Sequence, residues 1–572
     1  MDPAVSTYLA TSDLFRKTTE GLPWAERVRI SYAKAEAVVH AYNLTAEDIL
    51  TLSNKYWAFH SDPVLVLDGS VGTLLTIHYN LCCGTLAMFA IGRPDLRRLL
   101  DDLLSYRVSG QFCLTEVGHG LDAINLETTA TKLSDGRFLL RTPHEASAKF
   151  MPPTAPCGIP CIAIVFARLI VSDEDRGVRP FVVSLHDGTT MNEGVVCRLI
   201  PPRGGAHPVD HALTYFHGVY LPPTALLGTE TLSEDNRADF FYYISRVISG
   251  TLSMGAFALS AMRIASCVAG RYSLRREVMD SSKRILRPIA SFSTQYLPIL
   301  TAIAEVKVMQ AFSHVSHARF TESSNSLFYK HFVAALFKIT IMHHATGTLR
   351  ILGDRCGAQG LLEINQLTVL EANIRGAAIA EGDVLGISIR FAVEILLGRV
   401  APPAALDSTS VLAKHEQGLV DHFRTQILDS GHRAAHIETV LLPHYQHLME
   451  AIGHRCAYDA ALELGVDSRI IDLYVAAAMS SDEAWYVEHQ KIPQMRLKRG
   501  LIDAATALYP FLGELLDGLK ADAYVTAPIV SDDQWNSFVQ SLPTPGHAVC
   551  RARHDNGGKR FEETGGFVKA LS

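Results

Sequence analysis

The feature that most constrains the fold of this chain is a double change in its hydrophobic period. Up to about residue 110, apolar residues recur every three or four positions, as in the run from Leu96 to Leu104, which is typical of amphipathic helices. From Gln111 to about Gly228, short apolar runs alternate with turn pairs such as Asp187-Gly188, which indicates strands. Beyond Ser233 the helical period returns. The sequence therefore predicts a β-rich unit inserted between helical units.

This pattern predicts an α+β fold that is mainly α, in four parts. They are a helical N-terminal domain at 1–110, a central β-domain at 111–232, a helical bundle at 233–398 and a C-terminal helical domain at 399–572. Gly398 to Ser408, with Pro402-Pro403, has the composition of a linker into the last unit, because proline and glycine interrupt helices. Residues 543–558 are expected to form a loose tail.

Composition excludes several classes of protein. The 572 residues are 48% hydrophobic and 19% charged, which suits a globular chain with a large core and excludes a disordered or fibrous one. The net charge of −7 comes from interspersed signs, so the chain is not built to neutralise a nucleic-acid backbone. Ten cysteines spread over this length predict free thiols in a reducing, intracellular compartment.

No membrane span or targeting signal is expected. The most apolar long window, Thr73 to Gly92, contains His78 and Asn80, which favour a buried helix over a membrane span. The first twenty residues lack the apolar centre of a secretory signal. The last four, Lys-Ala-Leu-Ser, are not the Ser-Lys-Leu type of peroxisomal signal.

The sequence motifs considered for binding a cofactor or metal, or for a nucleophilic serine, find no support on their own. Residues 118–123 have the letters of a dinucleotide fingerprint, but the β-rich run 127–131 follows where a helix is required. Cys157 and Cys161 have no second ligand pair at metal spacing, and His343-His344 are interpreted as core or interface histidines. We therefore predict no metal site. No Gly-x-Ser-x-Gly elbow supports a serine hydrolase.

An acidic triplet precedes the apolar helical run that ends at Leu397. By residue type alone, Asp383 caps that helix and Glu381 is a solvated acid before it. A functional role for Glu381 needs support from elsewhere in the chain.

That support comes from a series of motifs in one order. Residues 113–120 (Cys-Leu-Thr-Glu-Val-Gly-His-Gly), 127–131, 142–149 and 177–187 resemble the β-domain of acyl-CoA oxidases, and 209–222 resemble its last strand. Residues 271–276 are similar to that family's Arg-Tyr-Ser-x-x-Arg-Arg helix, and 355–360 to its Arg-x-Cys-Gly-Gly-x-Gly turn. Residues 381–383 look like its Glu-Gly-Asp, and 522–532 resemble its closing segment.

The resemblance implies a β-barrel-like middle domain and FAD held between that domain and the bundle, at the interface of a homodimer. It implies α,β-dehydrogenation of an acyl thioester, with Glu381 as the base, flavin as the hydride acceptor and O2 as the oxidant that yields H2O2. Burial would raise the pKa of such a base toward the working pH. The implied cofactor-binding residues are Thr115, Gly118, Gly120, Thr154, Arg275, Gln295, Gly357, Gly360 and Asp383.

Three departures from the family pattern accompany the resemblance. Pro153 stands where the flavin-side loop has glycine, and it has no N–H to donate. Glu277 replaces the glutamine that follows the paired arginines, and a carboxylate there repels phosphates. The turn at 357–361 reads Gly-Ala-Gln-Gly-Leu instead of Gly-Gly-x-Gly-Tyr. These changes fit either a reshaped pocket for a specialised substrate or the loss of the cofactor.

The sequence therefore predicts an FAD-dependent acyl-CoA oxidase-like enzyme, peroxisomal or cytoplasmic. Two alternatives stay open. One is an acyl-CoA dehydrogenase that passes electrons to a carrier protein, and the other is a flavin-free, non-catalytic partner subunit.

Overall fold

A computed structural model gives the fold and describes residues 3–544 apart from 18, 20, 233, 281–283 and 432–433. The predicted tail, from residue 545 on, and the last four residues lie outside this range. The fold is mostly helical with a central sheet and a C-terminal helical region, as the hydrophobic periods predict.

Helices occupy the first hundred residues. Their amphipathic faces pack together, as in the last one, where Leu96, Leu100 and Leu103 are buried. The bounds are α1 (Pro3–Thr11), α2 (Asp13–Arg16), α3 (Trp24–Tyr42), α4 (Ala46–Thr51), α5 (Asn54–His60), α6 (Val64–Leu67), α7 (Gly69–Leu75), α8 (Gly84–Phe89) and α9 (Pro94–Leu104).

A π-helical segment, Thr76–Cys83, joins α7 and α8 into one apolar helix inside this layer. Its polar residues are satisfied by protein: His78 Nε2 lies 3.0 Å from the Leu103 carbonyl, and Nδ1 accepts the Gly110 N–H at 2.9 Å. Gly69–Phe89 and the later Ser245–Arg275 are long and apolar enough to cross a membrane, but 83% of each apolar window is buried in the fold. They do not indicate a membrane span.

The β-region forms one sheet around a long central strand. Its strands are β1 (Ser109–Cys113), β2 (Thr129–Lys132), β3 (Phe138–Arg141), β4 (Lys149–Phe150), β5 (Cys161–Val171), β6 (Glu174–His186), β7 (Val195–Leu199) and β8 (Ala212–Leu221). On one side of β5 lie β1 and β2, both parallel to it, and on the other lies antiparallel β6. The order continues from β2 through β3 to β8, which pairs with both β4 and β7.

The resemblance implies a barrel-like middle domain, and among the described strands no closed barrel is found. The two ends of this path, β1 and β4, are linked in the described part of the chain by an isolated bridge between Glu116, just past β1, and Lys149, and not by a continuous strand pairing. Strand alternation predicts the strands but not whether they close, because closure depends on the stagger between strands.

Long helices follow the sheet and form the centre of the molecule. They are α10 (Asn236–Tyr243), α11 (Ser245–Arg275), α12 (Ser293–Thr321), α13 (Leu327–Arg355), α14 (Leu367–Ile379) and α15 (Val384–Leu396), with a hairpin of β9 (Glu277–Asp280) and β10 (Ile285–Pro288) after α11. Small residues let α11 and α13 approach: a side chain on Gly255 would collide with the Phe337 ring.

The remaining helices pack on this bundle. They are α16 (Val411–Ser430), α17 (Ala435–Val440), α18 (Tyr445–Glu463), α19 (Ser468–Ser480), α20 (Glu483–His489), α21 (Gln494–Leu508), α22 (Leu512–Asp517) and α23 (Asp532–Ser541). Helix α18 lies tight against α13, since a side chain on Gly453 would overlap Thr340 Oγ1.

Candidate active site

Glu381 lies in the short connection between α14 and α15, in the left-handed backbone region with φ of 54°. A residue with a Cβ pays a steric cost there, and such strain persists only where the surroundings hold it. Thr251 Oγ1, on α11, donates to the Glu381 carbonyl at 2.7 Å. Lys338 Nζ, on α13, donates to the carbonyls on either side, Ala380 at 2.5 Å and Gly382 at 2.6 Å. Two long helices therefore fix this backbone.

The Glu381 side chain points into the protein and contacts the N-terminal layer. Its Oε2 accepts a hydrogen bond from Asn80 Nδ2 at 3.2 Å. Asn80 is itself oriented by the hydroxyls of Tyr56 and Ser249, which donate to its Oδ1 at 2.7 and 2.9 Å. A Cβ on Gly250 would overlap Glu381 Oε2, so glycine at that position of α11 makes room for the carboxylate.

Burial controls the charge at this site. It raises the pKa of Glu381 to about 8, although nearby Lys338 and Arg246 favour the ionised form. Burial also lowers the pKa of Lys338 to about 7, against the pull of Glu381 and Asp383. Arg246 is buried, and its Nη2 has no hydrogen-bond partner among the described residues. Glu381 is thus a partly buried acid with a raised pKa, and not the solvated acid that residue type alone allowed.

Asp383 has a separate local role. Its side chain accepts the Gly386 N–H at 3.1 Å and caps α15. Gly386 in turn faces Leu121, which would lie 3.7 Å from a Cβ at that position. The loop that carries Gly118 and Gly120 therefore reaches the helix that begins beside Glu381.

A buried ion pair shapes that loop. Glu116 and Lys149 are both fully buried, with Lys149 Nζ 2.9 Å from Glu116 Oε1. The Glu116 carboxylate also accepts the N–H groups of Glu127 and Thr128 at 2.8 and 2.9 Å. The pair thus ties the start of the loop to its end and to β4.

The predicted loop residues differ in their surroundings. Thr115 is partly buried, and its carbonyl accepts the Phe150 N–H at 2.9 Å. Gly118 is exposed and donates to the Ala146 carbonyl at 2.7 Å, while Gly120 has open space around its Cα. Thr154 is buried, and its hydroxyl bonds Thr214 Oγ1 at 2.7 Å.

The remaining predicted residues lie along the ends of α11, α12 and α13. Arg275 donates to Asp532 on α23 at 2.7 Å and to the Ile529 carbonyl at 2.9 Å. Gln295 donates to Ser273 Oγ at 3.0 Å and to the Arg355 carbonyl at 2.7 Å. Gly357 has φ of 59° and begins the 3₁₀ turn after α13, and Gly360 lies directly against the Gly353 backbone. The structure places Gln295 beside this turn, and Arg275 with the C-terminal segment.

Two observations fit a flavin cofactor. The exposed backbone at Gly118 and Gly120 carries no side chain that would block close approach. Arg355 Nε is buried without a hydrogen-bond partner in the described part of the chain, and guanidinium groups bind phosphates. Two of the residues that depart from the family pattern lie in different settings. Glu277 is exposed at the start of the β9–β10 hairpin, and Pro153 is buried beside β4.

The sequence analysis missed the residues that hold and tune Glu381: Asn80, Arg246, Gly250 and Lys338. One signal was present, because Lys338 is the charged residue in the apolar stretch from Phe332 to Met342. A charge on an apolar helix requires a buried partner. The sequence could not show that this partner is the backbone around Glu381.

Comparisons with known proteins relate the chain to acyl-CoA oxidases. No family model matches the chain. The chain is 25% identical over 378 residues to the peroxisomal acyl-coenzyme A oxidase 2 of Arabidopsis thaliana, covering 61% of this chain and 53% of that one. It is 25% identical over 372 residues to the human peroxisomal acyl-coenzyme A oxidase 3, covering 59% and 52%. The chain thus spans about half the length of the curated relatives it matches.

Solved structures show the same fold over nearly the whole chain. Acyl-CoA oxidase 3 of Yarrowia lipolytica superposes with a TM-score of 0.80 at 16% identity, covering 98% of this chain and 93% of that one. Acyl-CoA oxidase-1 of Caenorhabditis elegans, in complex with FAD and ATP, gives 0.77 at 16% identity, covering 94% and 90%. Sequence similarity thus relates about three-fifths of the chain to acyl-CoA oxidases, and the solved structures show that the fold is the same.

Proposed function

We propose that this protein is an FAD-dependent acyl-CoA oxidase-like oxidoreductase that dehydrogenates an acyl thioester between its α and β carbons. The observation that carries the proposal is Glu381, a partly buried carboxylate with a pKa raised to about 8 and a backbone fixed by two helices. Perturbed acids in such settings are typical of catalytic sites. The sequence and fold relationship supplies the reaction class.

Glu381 would remove the α-proton, and the electron pair of that C–H bond would form the new double bond as the β-hydrogen leaves. A general base works best when its pKa lies near the operating pH, which burial achieves here. Asn80 orients the carboxylate through its amide. Lys338 and Thr251 hold the backbone, so the base does not drift from the reacting carbon.

FAD, when bound, would take the β-hydrogen as hydride, and O2 would reoxidise it with release of H2O2. The ring side of the cofactor would be held by Thr115, Gly118 and Gly120. Its phosphate and adenine side would be held by Arg275, Gln295, Gly357 and Gly360. Thr154 and Asp383 complete the proposed set of cofactor-binding residues. We add Arg355 to the phosphate side, on account of its unpartnered Nε. By the same relationship we infer a homodimer, and a peroxisomal or other intracellular location.

One observation favours a second candidate, a flavin-free partner subunit. Arg275 already pairs with Asp532 in the same chain, so it is not free to meet a phosphate in this conformation.

The other alternative, a dehydrogenase that uses a carrier protein, would share the site geometry. It would differ in how fast air reoxidises its reduced flavin.

The test is the visible absorption spectrum of the purified full-length protein, before and after anaerobic addition of a panel of acyl-CoA thioesters. Flavin bands that one thioester bleaches, and that Glu381→Gln leaves unbleached, are the expected result. Rapid return of the bands in air, with H2O2, distinguishes the oxidase from the dehydrogenase. Failure to hold flavin even after FAD is added contradicts the proposal and leaves the partner subunit.

A further inference from the structure

Three histidines from two helices meet at the contact between the central bundle and the C-terminal helices, away from the Glu381 loop. His343 and His344 lie on α13, and His454 lies on α18. One ring nitrogen of each lies within 4.8 Å of one ring nitrogen of each of the others. The ring centroid of His454 is 5.3 Å from that of His343 and 5.0 Å from that of His344. We call this group the histidine cluster.

Each helix α13 histidine is oriented by a buried carboxylate. His343 Nδ1 lies 3.2 Å from Glu450 Oε1, and His344 Nδ1 lies 3.1 Å from Glu305 Oε1. Both glutamates are more than nine-tenths buried. A carboxylate on one ring nitrogen of histidine is the usual outer partner of a metal ligand, because it fixes the ring and makes the other nitrogen a better donor. Because Nδ1 is engaged by the carboxylate, Nε2 is the nitrogen through which each of these histidines would ligate an ion.

The third histidine has a nitrogen with no partner. His454 is 3% exposed, and its Nε2 makes no hydrogen bond in the part of the chain that the structure describes. A buried polar nitrogen left unpaired costs free energy, so this atom points to a ligand. The Tyr474 hydroxyl, 3.5 Å from His344 Nε2, borders the same space.

From this arrangement we propose that the histidine cluster is a structural site for one divalent transition-metal ion, Zn²⁺ by its donor set. Imidazole nitrogen is a preferred ligand of zinc, and a tetrahedral ion needs only one more donor. The Tyr474 hydroxyl, 3.5 Å from His344 Nε2, or a solvent molecule would supply it.

Charge supports a dication at this place. Two buried carboxylates, Glu305 and Glu450, accompany three imidazoles that must be neutral in order to ligate. The ion would balance these two negative charges.

The site has an entry and a consequence. His343 is about one-third exposed, which gives an ion a path from solvent. The bound ion would pin α13 to α18 about one and a half helical turns from Lys338, which holds the Glu381 backbone.

The neighbouring group His415, His447 and Asp482 is different, because both histidines already bond the Asp482 carboxylate at 3.0 and 2.9 Å. We propose no metal there.

The test is metal binding to the full-length protein after chelator treatment and dialysis. We expect one Zn²⁺ per chain by elemental analysis and titration calorimetry, and a higher thermal unfolding midpoint with zinc than without. His454→Gln should weaken binding by about 100-fold or more, and Glu305→Gln by about 10- to 100-fold. His186→Gln is the matched control, because His186 is buried in the β-region with an unpaired Nε2 and should leave binding unchanged.

Stoichiometric binding that survives His454→Gln, or the absence of measurable Zn²⁺ binding to the unaltered protein, would overturn the proposal. If His454→Gln does not fold, the unaltered protein loaded with Co²⁺ decides. Intense ligand-field absorption indicates a four-coordinate site, and the weak spectrum of a six-coordinate ion contradicts it. None of these readouts uses flavin or activity, so the result is independent of the proposed function.

Discussion

At the scale of single residues, the site depends on a missing side chain as much as on those present. Gly250 on α11 leaves the space that Glu381 Oε2 occupies. Glycine inside a helix ordinarily costs about 0.5–1 kcal/mol relative to alanine, so its presence in this helix is explained by the carboxylate that it admits.

Gly250→Ala tests this directly. The new methyl group would displace the carboxylate, and a misplacement of about 1 Å can cost about 100-fold in rate. We expect that loss in flavin reduction by the acyl thioester, with circular dichroism unchanged. Gly347→Ala on α13 is the control, since nothing lies within 4 Å of a Cβ there. Equal effects of the two substitutions would contradict this role for Gly250.

The pKa of Glu381 predicts the pH dependence. Because it is raised to about 8, the rate of flavin reduction should rise about tenfold per pH unit up to pH 8 and level off above. The pH dependence of the folding stability has the opposite sign. The proton on Glu381 stabilises the folded state fully below the ordinary glutamate pKa, and this contribution is lost as pH rises through about 8. Measured rates and unfolding midpoints across this window check both.

Lys338→Met should shift the rising limb of the pH–rate profile of flavin reduction to higher pH. Lys338 is one of the charges that favour ionised Glu381, so its removal raises the pKa of the base further. Lys338→Arg retains the charge and should leave the limb near its original pH. A limb that does not move in Lys338→Met shows that Lys338 acts only through the backbone carbonyls.

At the scale of elements, the loop that begins after β1 is held by a charge pair that its surroundings fully bury. Burial lowers the pKa of Lys149, and the cation together with several N–H donors brings the pKa of Glu116 below its ordinary value despite burial. The glutamate of the Thr-Glu-x-Gly-His-Gly motif is therefore structural in this fold, while the glycines after it are exposed.

Glu116→Gln should cost about 3–5 kcal/mol of unfolding free energy, because Lys149 would be left buried without a counter-charge. Chemical denaturation measures this loss. The double substitution Glu116→Gln with Lys149→Met should be less destabilising than the sum of the two single ones. Additive losses would show that the two charges do not depend on each other.

At the scale of the whole molecule, the first and last described segments are joined. Arg16 donates to the Ala10 carbonyl at 2.9 Å, and across the chain to the carbonyls of Ala523 and Val525 at 2.6 and 3.0 Å. Ser6 reaches the Tyr524 hydroxyl at 2.7 Å. The N-terminal helices and the end of the C-terminal region thus stabilise each other.

Arg16→Met should lower the free energy of unfolding by about 1–3 kcal/mol, since it leaves buried carbonyls unpaired. Arg29→Met is the matched control, because Arg29 is exposed and its side chain donates to the Ala25 carbonyl of its own helix. We expect a change within about 0.5 kcal/mol. Thermal and denaturant unfolding of the two variants measure the difference. A similar effect from both would show that the junction of the two ends contributes little.

The sequence by itself determined which parts are helical and which are strands. It did so because hydrophobic period is a local property: α11, α12 and α13 all lie beyond Ser233, where the sequence predicts helices. Motif order led to the acyl-CoA oxidase-like superfamily, which the comparisons support. It also singled out Glu381, whose proposed role as base stays a prediction.

Only the tertiary structure decided whether the sheet closes and what surrounds Glu381. The pKa of that acid depends on Asn80, Lys338 and Arg246, which lie far apart in the chain and meet only through packing. The histidine cluster has the same origin: His343 and His344 are adjacent and diverge on one helix, and His454 reaches both from another. Contacts between distant segments leave no local pattern in the sequence. The sequence therefore shows which residues are present but not which of them are in contact.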